Sequence, residues 1–229
     1  MTWSFPLGRL LGSELRVHAT FFLLLAWVAV AAYAEGGAQA VLTNTVFILS
    51  LFACVIAHEY GHALMARRYG IATPDITLLP IGGMARMENM PEKPAQEIAV
   101  ALAGPAVNVV IWGALIVFGA STDMGALTEP GTTADFLGRL AAVNLFLAVF
   151  NLIPAFPMDG GRVLRAALSS VMPRVRATRI AATAGQIAAF LFGLAGLASG
   201  NLILLLIAVF IFLAAQAESN DVANRDIAK

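Results

Sequence analysis

Six apolar runs, about residues 17–34, 43–66, 96–119, 135–156, 178–198 and 201–217, dominate this chain. Each is near the roughly 20 residues that carry a helix across a bilayer. Lipid offers no partner for a backbone N–H or C=O, so a spanning segment must satisfy its own. Continuous apolar runs, without strand alternation, therefore select helices. Charge agrees: 12% of the 229 residues are charged, against about a quarter in soluble domains. The expected fold is an all-α polytopic membrane protein with about six transmembrane helices.

Charge placement orients the threading. Thirteen of the 14 Lys and Arg fall on the side of both termini, and only Arg139 lies near the other. Cationic loops stay inside, so both termini are expected in the cytoplasm, across a prokaryotic plasma membrane. The net charge of zero leaves no basic excess for phosphates, which argues against a nucleic-acid partner. Residues 1–217 read as one membrane domain and 218–229 as a cytoplasmic tail.

Within the second run stands His58-Glu59-Tyr60-Gly61-His62. On a helix this places two imidazoles about 6 Å apart along one face. Both can hold one metal ion, and Glu59 beside them can serve as general base. Ionisable groups inside a lipid-spanning segment are expensive and usually functional. A catalytic zinc site takes three protein ligands and keeps one position for water. Asp159 is the best candidate for the third, because Pro154, Pro157 and Gly160-Gly161 must break the fourth helix and free its backbone. The alternative is that Asp159 caps a helix over Gly161–Val171. One Zn2+ per chain is expected. Cys54, one turn before His58, would sit about 12 Å along the axis from His62 and reads as a packing residue. His18 reads as interfacial.

Residues 70–95 form a loop too apolar to be solvated, and 76–88 read as a membrane-associated β-hairpin turning at Gly82-Gly83. Its edge could take up an extended substrate, with Met84 and Ala85 the first choices as backbone donors. Gly104-Pro105 marks close packing or a kink in the third run. Asn108 there could polarise a scissile carbonyl or orient a peptide. Asn151 leads into the broken segment and is expected to contact substrate backbone, whereas Asn144 fits an interhelical hydrogen bond.

Together these pieces resemble the site-2 protease family of intramembrane zinc metalloproteases. The carriers are His58–His62, the Gly82-Gly83 hairpin, Ala103 through Asn108, and Asn151 through Gly161, in order along about residues 8–216. The resemblance implies zinc on His58, His62 and Asp159, Glu59 as general base, and a substrate-pairing edge within Gly82–Glu88. The tail from Ala214 to Asp221 is similar to the approach to the CBS pair of one branch, and no such pair falls within these residues. No PDZ insertion is seen either. Other membrane proteases with HExxH resemble the chain less, since they draw the third ligand from a Glu on a later helix. The expected activity is hydrolysis of a peptide bond in or near a transmembrane segment of a single-span or membrane-associated protein within the bilayer. The alternative is a metal transporter or metal-binding sensor without proteolysis.

Overall fold

The computed structural model describes residues 3–80, 82–86, 91, 93–120 and 133–227. Among these described residues it is mostly helical, with four strands and six helices. Four helices are long and apolar enough to cross a membrane, and a shorter apolar helix covers Phe136–Asn151. The chain is an integral membrane protein. It divides into two compact units, residues 1–90 with 103–148, and residues 91–102 with 149–229.

The first unit begins with a hairpin that the sequence pattern did not disclose. Strands β1 (Ser4–Leu10) and β2 (Ser13–His18) pair antiparallel. Leu11 and Gly12 join them, both at positive φ (48° and 92°), the backbone hand that a tight two-residue hairpin turn requires. Helix α1 follows at once over Ala19–Arg68, N-capped by the ring of His18, which accepts from Thr20 N. The interfacial histidine is thus a cap.

At Gly36 and Gly37 the helix breaks, with Gly37 at φ 64°. Only glycine takes that conformation without strain. The two halves, 19–35 and 38–68, match the first two apolar runs. They pack together through Phe21 and Phe52, whose rings stand 4.6 Å apart edge to face, with Leu24, Leu25, Ile48 and Leu51 around them.

Strand β3 (Asp75–Leu79) returns parallel to β2, pairing Glu14 with Asp75 and Val17 with Leu78. Parallel pairing needs a long crossover, and α1 supplies it. Strand β4 (Gly82–Arg86) completes the order β1-β2-β3-β4 as an edge. Alternation sorts the faces. Leu15, Val17, Ile76 and Leu78 pack with α1 side chains such as Phe52 and Tyr60. Glu14, Arg16, Asp75 and Arg86 take the other face, joined by an Arg86–Asp75 pair at 2.6 Å.

The expected hairpin is therefore part of a larger sheet, and its turn falls elsewhere. Gly82 and Gly83 pair with Leu79 and Leu78, so the glycines open β4 and do not form the turn. Ile81, Met87 and Glu88, all within the expected 76–88 hairpin, lie outside the described residues.

Helix α2 (Pro94–Val117) runs through Pro105. From Ala103 onward it belongs to the first unit, as does α3 (Thr133–Asn151) up to Ala148. Ile111 and Leu115 of α2 meet Phe47 and Cys54 of α1 and Leu140 of α3, which bears out Cys54 as packing. Asn144 donates to Leu140 O at 2.8 Å within its own helix.

In the second unit the chain leaves α3 at Asn151 and turns through 152–158. It then forms α4 (Asp159–Ser169), α5 (Arg174–Ser199) and α6 (Leu202–Ile227). The fourth apolar run is broken as expected. Gly200, at φ 67°, ends α5, and Asn201 Oδ1 caps α6 by accepting from Leu204 N at 3.1 Å. Phe156 is buried with Ala181, Ala182 and Ala215. A Cβ on Gly185 of α5 would fall onto Phe156 O, so that glycine admits the turn.

Candidate metal centre and active site

In the first unit, His58 and His62 lie one turn apart on the second half of α1, both buried. Their Nε2 atoms stand 3.1 Å apart, and their rings meet edge to face at 4.7 Å between centroids. Zn–N bonds of about 2.0–2.1 Å at tetrahedral angles separate two ligand nitrogens by little more than 3 Å. The pair is already spaced for one ion.

Asn108 of α2 determines which nitrogen of His58 is available. It is fully buried, and its Oδ1 lies 3.0 Å from His58 Nδ1. A carbonyl oxygen can only accept, so Nδ1 carries the proton and Nε2 keeps its lone pair. Metal-bound histidines are held this way by outer partners. Asn108, expected from sequence to face a peptide, sits behind a histidine, and its Nδ2 is buried without a hydrogen-bond partner among the described residues.

Three glycines allow this assembly. A Cβ on Gly104 would collide with Nε2 of both histidines. A Cβ on Gly61 would lie 2.7 Å from Ala103 O, so Gly61 lets α2 approach α1. A Cβ on Gly83 would lie 2.5 Å from Glu59 Cγ and 3.0 Å from Oε1, which places β4 directly against Glu59. Sequence alone predicts close packing or a kink at Gly104, a turn at Gly83 and no role for Gly61. The Gly-Pro inside an apolar run and the Gly within the HExxH interval were the available signals.

In the second unit, Asp159 is buried and is the first residue of α4. The N-cap position falls one residue earlier, on Met158, with no side-chain cap bond. The capping alternative thus fails by one position. A carboxylate in the first turn meets the positive end of the helix, and Arg162 lies 3.9 Å from its Oδ1. Gly160 and Gly161 let the turn fold onto that first turn of helix. A Cβ on Gly160 would strike the backbone of Leu152 and Ile153, and one on Gly161 would lie 2.6 Å from Ala155 C. Asn151 is the last residue of α3, half-buried at the head of the turn. On β4, Met84 is exposed and Ala85 half-buried against the sheet core.

The sequence profile described as Peptidase family M50 matches residues 46–124 and 120–195. The chain belongs to peptidase family M50. Among M50 relatives, a zinc metalloprotease of Methanocaldococcus jannaschii is 36% identical over 233 residues, covering 100% of this chain and 64% of that protein. Rip3 of Mycobacterium tuberculosis is 33% identical over 242 residues, covering 97% of the chain and 60% of Rip3. The chain thus spans less than two thirds of these relatives' length. The solved structure of the site-2 protease from Methanocaldococcus jannaschii superposes with a TM-score of 0.70, at 35% identity and 95% coverage of both chains. The resemblance to site-2 proteases holds in sequence and in fold.

Proposed function

We propose that this M50 chain is an intramembrane zinc metalloendopeptidase, cleaving a peptide bond in or beside a transmembrane segment of a single-span or membrane-associated protein. The observation that carries the reading is the His58–His62 pair, its Nε2 atoms 3.1 Å apart, with Glu59 between them in sequence. Two imidazoles and a carboxylate are donors suited to zinc, and His58, His62 and Asp159 are the three buried side chains read here as supplying them. These three would hold one Zn2+. Bound there, zinc supplies a Lewis acid for the scissile carbonyl and makes water acidic enough to attack near neutral pH.

The chain's own residues do the rest. Asn108 keeps His58 in the tautomer whose Nε2 can bind metal. Glu59 takes a proton from the attacking water and passes it to the leaving amine. The substrate must unwind, because a helix hides its amides. The edge of β4, with Gly82, Gly83, Met84 and Ala85, receives it as an added strand beside Glu59. Asn151 contacts the substrate backbone, and Asn108 Nδ2 supplies a further donor. The bilayer holds enzyme and substrate together, with both termini of this chain cytoplasmic.

Glu59→Gln is the deciding variant. It should retain stoichiometric zinc and lose cleavage of single-span substrates by at least about 100-fold, the lower range for a general base. Metal analysis and cleavage on the same purified protein measure both. Near-normal turnover would remove Glu59 from the mechanism.

A further inference from the structure

The second unit sets four charges in alternation, with the middle two buried. Arg165 of α4 has 0% exposure. Its Nε donates to Glu97 Oε1 of α2 at 2.7 Å, and its Nη1 donates to Glu218 Oε1 of α6 at 2.6 Å. Through its other oxygen Glu97 meets Arg174 of α5 at 2.9 Å, and Arg174 Nη1 donates to Pro91 O at 3.2 Å. The order Glu218–Arg165–Glu97–Arg174 balances two negative charges against two positive and joins four helices.

A buried ion pair is weak evidence for stability, since apolar replacements often hold a fold as well. The placement of this one says more. Arg165 stands six residues after Asp159 on a helix of eleven residues. Its guanidinium also lies 4.9 Å from the ring centre of Phe156, in the turn just before Asp159. It therefore grips the helix that Asp159 heads and the turn that Asp159 follows. The forked guanidinium can reach two carboxylates at once. One of them, Glu218, is 23% exposed in the C-terminal half of α6. Without Glu218, Arg165 would share Glu97 with Arg174 and lose its second partner.

We propose that Arg165 is a positioning residue for Asp159, acting through Glu97 and Glu218, so that the C-terminal half of α6 forms part of the support of Asp159. The proposal rests on the reading of Asp159 as a zinc ligand. Displacing Glu218 of α6 from Arg165 would then loosen zinc without touching any ligand.

The test is a double-mutant cycle on the purified 229-residue protein, with zinc affinity read by competition with a chelator of known affinity. Glu218→Gln keeps size and polarity and removes only the charge. It should weaken zinc about 10-fold where Asp159 is present, within the range seen for outer partners of metal ligands. In an Asp159→Ala background the same change should cost under about twofold, because the path to the metal is already cut. Arg165→Lys keeps the buried charge but cannot fork, and should show the same dependence on Asp159. Unchanged affinity in both variants would overturn the proposal, as would equal losses in both backgrounds, which a merely structural brace would produce. Native zinc affinity in Asp159→Ala alone would instead sink the third-ligand reading, and this proposal with it.

Discussion

Backbone proximity governs the site at the scale of single residues. Gly104 is the sharpest case, since a methyl group there would occupy the space of both Nε2 atoms. Gly104→Ala should abolish zinc binding in a protein that still inserts and folds, measured by metal content beside circular dichroism. Gly83→Ala should have the opposite signature. Its Cβ would press on Glu59 and spare the histidines, so zinc stays near stoichiometric while cleavage falls. Loss of zinc from Gly83→Ala would contradict the assignment of β4 to the base. Asn108→Leu keeps bulk but removes the Oδ1 acceptor from His58 Nδ1–H. It should weaken zinc about 10- to 100-fold, and an unchanged affinity would leave Asn108 to substrate alone.

At the scale of elements, β4 is the edge of a mixed sheet whose inner neighbour β3 is parallel to β2. Added strands draw affinity from main-chain hydrogen bonds. Side-chain truncation at Met84 should therefore cost little, whereas a proline at Met84 or Ala85 deletes a donor and should cost far more activity. Cross-linking of substrate to cysteines placed along 82–86 in Glu59→Gln protein would show alternating contacts if a strand pairs there. Uniform absence of contacts would leave β4 a plug beneath Glu59. The charges around α4 make a separate prediction. Glu97→Ala removes the carboxylate shared by two arginines, one fully buried, and should lower stability by about 3–5 kcal/mol, read from reversible unfolding in mild detergent.

For the whole molecule, the break at Gly36–Gly37 makes α1 a helical hairpin whose two ends face one side. Cysteines at Gln39 and Arg67 in a Cys54→Ser background should react with impermeant thiol reagents from opposite faces, with position 67 cytoplasmic. Labelling of both from one face would overturn the orientation.

The long apolar runs were legible because lipid imposes one answer on any segment of that length, and HExxH because helical spacing is local. The broken fourth run followed from proline and glycine chemistry near Asp159. Other features had no such local rule. Strand β2 pairs with β3 across some sixty residues, and β1 and β2 are too short to stand out from a mixed leader. The place of Gly82-Gly83 inside β4 depended on register with β3, which the pair by itself does not specify. The glycines at 61, 83 and 104 acquire meaning only where another backbone or side chain approaches them, and Arg165 only where carboxylates from two other helices close on it. Local spacing is written along the chain. Contacts between distant segments depend on how helices pack, so tertiary structure alone decided them.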